Sequence, residues 1–219
     1  MINYPDNIRV YDNYLPDNVA QALYANLSSI PQQWFSLRKK TQEDRDPEPQ
    51  FSKTWWSIHG DKAKKAQLHP EGLLTYQYMA TDNHQTGCDC TYCQLVEMFT
   101  QNPPPEVSAE VMQECFLSVY RPGDYLSQHH DHGYNRSWAF TYTLSTGWRP
   151  EWGGILNVQD KASGNWWAFP PKFNRLILMD VGDKSCNHFV SEVIPSAPVN
   201  RVTFSGWWYD PIADYPSAA

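Results

Sequence analysis

The chain has 219 residues, 41% of them hydrophobic and 15% aromatic, with ten tryptophans and a net charge of −7. That length supports one sizeable core or a core with a subsidiary lobe, and the aromatic content suits a β-rich body with a walled pocket better than a helical bundle. The acidic balance argues against a nucleic-acid partner, because neutralising phosphates needs a basic face, and no apolar run approaches the roughly 20 residues of a membrane-spanning helix.

The opening stretch MINYPDNIRVYDNY has neither the basic region nor the apolar core of a signal peptide, so the expectation is a cytoplasmic protein with no membrane partner. Asp17 is placed as the cap of a first helix, in which Val19, Leu23 and Leu27 repeat every four residues and Ile30 continues the stripe. The basic runs Arg38-Lys39-Lys40 and Lys62 to Lys65 are short, lie near Glu43, Asp44 and Asp46, and read as solvated loops. Thr41 to Gln50, charged and carrying two prolines, reads as a mobile loop, and Lys53 to His59 as a strand.

Thr91 and Gln94 form a Thr-x-x-Gln capping box that opens a second helix through Leu95, Val96, Met98 and Phe99. Asn102-Pro103-Pro104-Pro105 must end it, since consecutive prolines cannot continue a helix. This boundary divides the chain into an N-terminal α/β extension (1–105), a body (106–210) and a short tail (211–219). Of the five cysteines, Cys88, Cys90 and Cys93 crowd together, which does not fit a secreted disulfide framework. With His84 they are candidate zinc ligands, but four ligands so close in sequence have difficulty wrapping a tetrahedron and Thr91 is already used as a cap. Free, half-buried thiols are the expectation.

Beyond the prolines come short alternating runs: Glu114 to Tyr120, Ser137 to Leu144, Gly154 to Gln159, Trp166 to Phe169, Arg175 to Val181 and Arg201 to Trp208. So many strands in so short a span indicate a double-sheet sandwich or barrel. The pairs Trp55-Trp56, Trp166-Trp167 and Trp207-Trp208 should each put one ring in the core and the other outward or on a pocket wall.

The stretch Ser-Gln-His-His-Asp-His-Gly, 127–133, carries the chemistry. On extended backbone, residues two apart share a side, so His129 and Asp131 can converge on one ion while His130 points away. Two histidines and one carboxylate suit a divalent first-row metal and leave positions open for oxygen chemistry. The third ligand is expected from the later strands, where His188 is the available histidine. A rival register uses His130 and His132, as in cupin-type sites, but those want a glutamate shortly afterwards and Gly133, Tyr134, Asn135 and Arg136 follow instead.

Tyr120-Arg-Pro-Gly-Asp-Tyr-Leu-Ser-Gln-His129-His-Asp131, Arg136, Trp148, Trp152-Gly153-Gly154, Pro170-Pro171, Asn174-Arg175-Leu176, His188-Phe-Val-Ser-Glu-Val193 and Arg201-Val-Thr-Phe-Ser-Gly-Trp207 occur in order. Together they resemble the catalytic domain of prolyl-hydroxylase-like 2-oxoglutarate- and Fe(II)-dependent oxygenases. The resemblance covers residues 115 to 209. It implies a mainly β protein with flanking helices around a double-stranded β-helix, or jelly roll, with Fe(II) held by His129, Asp131 and His188. It also implies 2-oxoglutarate and O2 as co-substrates, ascorbate (vitamin C) as a reductant, and a prolyl residue in a peptide or protein as the hydroxylation target. A free amino acid or small metabolite is the alternative substrate, and a catalytically silent or cupin-like metal-binding protein the alternative of another class.

Arg201 matches the arginine that grips the distal carboxylate of 2-oxoglutarate, a task suited to a planar fork of donors. Its strand alternation puts Arg201, Thr203 and Ser205 on one face. The chain departs from the family where many members place a tyrosine on that carboxylate: Thr143 stands there, and Tyr142 should face the other way. Tyr120, Thr143 or Thr203 is expected to supply the second contact. Arg136, five residues past the metal aspartate, matches an arginine that hydrogen-bonds the substrate backbone; an acidic neighbour is its alternative partner.

Overall fold

The computed structural model describes residues 2–27, 36–41, 72–79, 88–107, 110–133, 135–183 and 185–210; for 36–41 and 72–79 the backbone path alone is described. The strand expected at Lys53 to His59, with Trp55-Trp56, lies outside the described residues. So do His84, Lys62 to Lys65, the 42–50 stretch and the 211–219 tail.

Among the described residues are two helices, α1 (Asp17–Asn26) and α2 (Thr91–Gln101). The N-cap of α1 is Pro16, whose extended φ/ψ sets the entry, and Asp17 is the acidic residue of the first turn. At α2 the N-cap is Cys90, not Thr91, and the expected capping box is not made. Thr91 is fully buried and sends its hydroxyl to the Leu23 carbonyl (3.3 Å), tying α2 to α1. Gln94 bonds the Asp89 carbonyl at 2.6 Å. A buried hydroxyl must find a partner, and the neighbouring helix end supplied one that sequence spacing could not show.

Among the described residues, ten strands follow one hydrogen-bonded order, β1-β9-β6-β11-β4-β3-β5-β10-β7-β8, and an eleventh, β2, pairs with β3 off that path. They are β1 (Ile8–Asp12), β2 (Ser36–Thr41), β3 (Gly72–Met79), β4 (Val111–Tyr120), β5 (Tyr125–His129), β6 (Arg136–Thr143), β7 (Leu156–Gln159), β8 (Trp166–Phe169), β9 (Arg175–Asp180), β10 (His188–Val190) and β11 (Arg201–Tyr209). Arg38-Lys39-Lys40, read as a solvated loop, and Thr41, read as the start of a mobile one, lie instead in the strand Ser36–Thr41, which pairs with β3. The strands before the proline run pair directly with those after it: β1 lies on β9, and β3 on both β4 and β5. β3 therefore joins the larger sheet, β1-β9-β6-β11-β4, to the smaller, β5-β10-β7-β8, and the chain forms a double-stranded β-helix.

The larger sheet separates two apolar clusters. On one face Leu23 of α1 and Tyr92, Leu95 and Phe99 of α2 meet Leu117, Phe140, Tyr142, Leu178, Phe204 and Trp208. On the other, Tyr120, Ala139, Ile177 and Met179 meet Leu156, Val158 and Val190 of the smaller sheet. The period-2 alternation of each central strand produces this division: Phe140 and Tyr142 go to the helices, Ala139 to the inter-sheet side. Trp208 is 1% exposed in the helix-side core, while Trp207 lies on the other face; of the β8 pair, Trp167 packs inward and Trp166 is exposed. No helix among the described residues is long and apolar enough to cross a membrane.

Candidate metal and co-substrate site

The turn between β4 and β5 sets the site's position. Asp124 is fully buried and accepts the Arg121 amide at 2.7 Å; the Gly123 amide donates to the Val193 carbonyl and the Val193 amide to the Asp124 carbonyl. This fastens the start of β5 to the stretch after β10. β10 then pairs with β5 so that His188 stands opposite His129.

Asp131 follows two residues beyond His129, and its carboxylate lies between the rings: His129 Nε2 to Oδ1 is 3.5 Å and His188 Nε2 to Oδ2 is 3.3 Å. One donor atom from each of the three residues lies within 4.8 Å of the other two. Both rings are oriented from behind. His129 Nδ1 is 2.8 Å from the Ser127 carbonyl and His188 Nδ1 3.3 Å from the Cys186 carbonyl. Each Nδ1 then carries the proton, leaving the Nε2 lone pairs for a cation.

The electrostatics agree. Burial, with repulsion from His188, pushes His129 down to about 4. Burial works against charge on Asp131 too, but the attraction and hydrogen bond of His188 hold its carboxyl well below the usual range. His188 goes the other way: burial alone would lower it, and Asp131 raises it. The pocket thus keeps a carboxylate ionised and one imidazole neutral, a donor set that suits Fe(II). The rival pair is not assembled: His130 and His132 are exposed, with ring centroids 6.5 Å apart.

Arg201, at the start of β11, is 3% exposed on the inter-sheet side. Its Cζ lies 4.9 Å from the Tyr120 ring centroid and Nη1 reaches Thr203 Oγ1 at a long 3.4 Å. Its Nε is buried without any hydrogen-bond partner. A buried guanidinium donor left unpaired is costly, and an incoming carboxylate is the acceptor its fork geometry fits. Thr203 is shared with Ser118, whose hydroxyl is 2.6 Å away. Thr143 is 3% exposed and pairs in register with Thr203, whereas Tyr142 faces the helices and donates to Asn174 Oδ1 at 2.9 Å. Tyr120 and Thr203 thus lie against Arg201, and Thr143 stands beside Thr203 on the neighbouring strand.

Arg136 is 8% exposed, and its observed partners are internal. It pairs with Glu114, donates from Nε to the Tyr209 hydroxyl (2.9 Å) and from Nη1 toward the Asp131 carbonyl (3.4 Å), and lies 4.0 Å over the Trp207 ring. The acidic neighbour is the partner seen.

Three contributors escaped the sequence reading. Trp207 Nε1 donates to Asp131 Oδ2 at 3.0 Å, holding the carboxylate rotamer. Glu114 sits at φ 53° where the β11–β4 register shifts, a bulge that aims its carboxylate at Arg136 and Tyr209. Gly154, at φ 62°, lets the Arg201 stem pass: a Cβ there would lie 3.0 Å from Arg201 Cδ and 3.1 Å from Trp148. The Trp-Gly-Gly run was the one visible signal for the last.

Residues 115–209 match the model of the 2OG-Fe(II) oxygenase superfamily. No curated protein matches the chain. Among solved structures, a Pseudomonas putida prolyl-4-hydroxylase is 18% identical with a TM-score of 0.61, covering 93% of this chain and 92% of that one. A Trichoplax adhaerens prolyl hydroxylase, solved in complex with a hypoxia-inducible-factor oxygen-degradation-domain peptide fragment, is 15% identical with a TM-score of 0.63, covering 94% and 84%. A 2OG-Fe(II) oxygenase-family oxidoreductase from Burkholderia pseudomallei is 9% identical with a TM-score of 0.59, covering 93% and 85%. These likenesses bear out the expected double-stranded β-helix.

Proposed function

For a chain whose residues 115–209 match the 2OG-Fe(II) oxygenase superfamily, we propose a 2-oxoglutarate- and Fe(II)-dependent dioxygenase that hydroxylates an unactivated C–H bond of a prolyl residue in a peptide or protein. Two observations support the chemistry: the His129–Asp131–His188 cluster, and a buried Arg201 on the inter-sheet side whose Nε has no protein acceptor. His129, Asp131 and His188 would hold the iron. Bound Fe(II), with 2-oxoglutarate and O2, supplies an oxidant that replaces C–H by C–OH while the co-substrate leaves as succinate and CO2.

The chain's own residues do the rest. Arg201 takes the distal carboxylate and, by fixing one end of the co-substrate, orients its other end toward the metal ligands. Tyr120 backs the guanidinium, and Thr143 and Thr203 offer hydroxyls where a longer tyrosine would otherwise reach. The apolar walls of Leu156, Val158 and Val190 limit water around the reacting groups. Arg136 is proposed at the substrate through exchange: a peptide carbonyl would take a donor now given to Glu114. The peptide assignment is supported by the prolyl hydroxylases among the structural neighbours, one of them carrying a peptide.

The test is succinate formation with Fe(II), 2-oxoglutarate and ascorbate across proline-containing peptides with blocked termini, against free proline and other amino acids. Turnover of blocked peptides is the expected result. Turnover of free amino acids alone would overturn the peptide assignment, and absence of a visible charge-transfer band on anaerobic addition of Fe(II) and 2-oxoglutarate would overturn the oxygenase reading itself.

A further inference from the structure

On the opposite side of the larger sheet from the oxygenase pocket, three cysteines meet at the start of α2. We propose that Cys88, Cys90 and Cys93 form a three-thiolate site for one zinc-class divalent ion, which pins the first turn of α2 against the back of the sheet. Their sulfurs all lie within 4.8 Å of one another and all three residues are half-buried. A tetrahedral zinc with Zn–S of about 2.3 Å needs sulfurs roughly 3.8 Å apart, so small rotamer adjustments close the site.

The local backbone explains the convergence. Cys90 is the N-cap, in an extended conformation at φ −63° and ψ 161°. Cys88, two residues earlier, shares its side on extended chain, and Cys93, one turn into the helix, returns to it. The two reasons against zinc in the sequence lose force here. Thr91 is not the cap but is turned away toward Leu23. His84 lies outside the described residues and has no part in the proposal; three thiolates leave the fourth position to solvent or an added thiol.

The Cys90 amide favours charge on the Cys88 sulfur, as expected at a helix N-terminus, whereas burial raises Cys90 although the Cys93 amide opposes it. Burial and then the neighbouring sulfurs push Cys93 up to about 12. Three anions this close coexist when a cation sits among them, and binding releases the three thiol protons. The consequence is mechanical. Tyr92 and Leu95, next to the site, are buried against the sheet, and Tyr92 donates to the Cys115 carbonyl at 2.9 Å, so a clamp on this turn would steady the layer behind β4 and β11.

The experiment uses the full chain carrying Asp131→Ala, which disables the iron centre as a competitor, reduced and titrated with Co(II). The expected result is a near-ultraviolet thiolate-to-cobalt charge-transfer band that saturates at one equivalent and is displaced by Zn(II). Cys88→Ser, at the chain's more open end of the site, should weaken cobalt binding at least tenfold, and Cys88→Ser/Cys90→Ser/Cys93→Ser should abolish the band. No band in the reduced chain, a band that survives the triple substitution, or a thiol count and intact mass showing a disulfide between two of the three would overturn the proposal. None of these outcomes touches the succinate assay, so this site and the oxygenase reading fail separately.

Discussion

Trp207 reaches a candidate metal ligand. Its indole N–H fixes one oxygen of Asp131, and Arg136 lies on its ring with Glu114 and Tyr209 behind. Trp207→Phe keeps the packing but removes the donor; groups that orient metal ligands are typically worth 10–100-fold in metal affinity or activity, and a loss of that size is expected here, read by Fe(II) titration. Unchanged iron affinity would remove Trp207 from the ligand-orienting role. Arg201→Ala acts on the other ligand. Truncating one partner of a buried, hydrogen-bonded charge pair costs about 2–5 kcal/mol, so the 2-oxoglutarate Kd should rise by roughly 30-fold to several-thousand-fold while iron still binds, as calorimetry would measure.

At the scale of elements, α2 is attached to the sheet through Phe99. That ring is fully buried and lies 5.2–5.4 Å, centroid to centroid, from Phe140, Tyr142 and Phe204. Phe99→Ala leaves a cavity among these rings and Tyr14, 5.1 Å away, and should cost ~3–5 kcal/mol, checked by denaturant unfolding. β1 is held at the sheet's edge by register with β9 and by Asp12, which accepts Arg175 at 2.6 Å and Lys172 at 2.8 Å. The Arg175 hydrogen bond, with help from Lys172, holds Asp12 at about 2 against an ordinary 3.8. A depressed carboxyl contributes stability that is present above the ordinary value and is lost as pH falls from 3.8 through about 2. Because Asp12 is 40% exposed, solvent screening limits that contribution to about 1 kcal/mol or less. Asp12→Asn should therefore lower neutral-pH stability by no more than this and flatten the acid limb in that window, in urea melts at several pH values.

For the whole molecule, the decisive feature is that the candidate ligands come from both sheets. His129 and His188 belong to the smaller sheet and Arg201 to the larger, with β3 joining the two. Metal and 2-oxoglutarate bound together would tie the layers, and a ligand at 100 times its Kd stabilises by about 2.7 kcal/mol. For a chain this long that corresponds to a rise in Tm of roughly 5–10 °C with redox-inert Mn(II) plus 2-oxoglutarate. In Arg201→Ala the increment from 2-oxoglutarate should vanish while that from Mn(II) stays; equal shifts in both proteins would separate Arg201 from the co-substrate.

Local pattern alone determined much of this protein. Strands β4, β6, β7, β8, β9 and β11 and the two described helices follow from period-2 and period-3.6 alternation, because each buries one face against a partner layer. The facing of Arg201 and Thr203 away from Phe204, and of Tyr142 away from Thr143, follows from the same pleat. The His129/Asp131 register was legible because two-residue spacing on extended chain points one way. Other features had no local signature. β1, β3, β5 and β10 are strands chiefly because a neighbour's edge pairs with them, so their short or irregular runs did not announce them. Thr91 left its expected cap for a carbonyl on α1, Glu114 entered the network through a bulge, and Trp207 found Asp131 across 76 residues of sequence. Cys88, Cys90 and Cys93 looked poorly spaced until the N-cap fell on Cys90. Each depends on which groups tertiary packing brings within hydrogen-bonding reach, and burial then requires polar groups to be satisfied by whatever partner the fold has placed there.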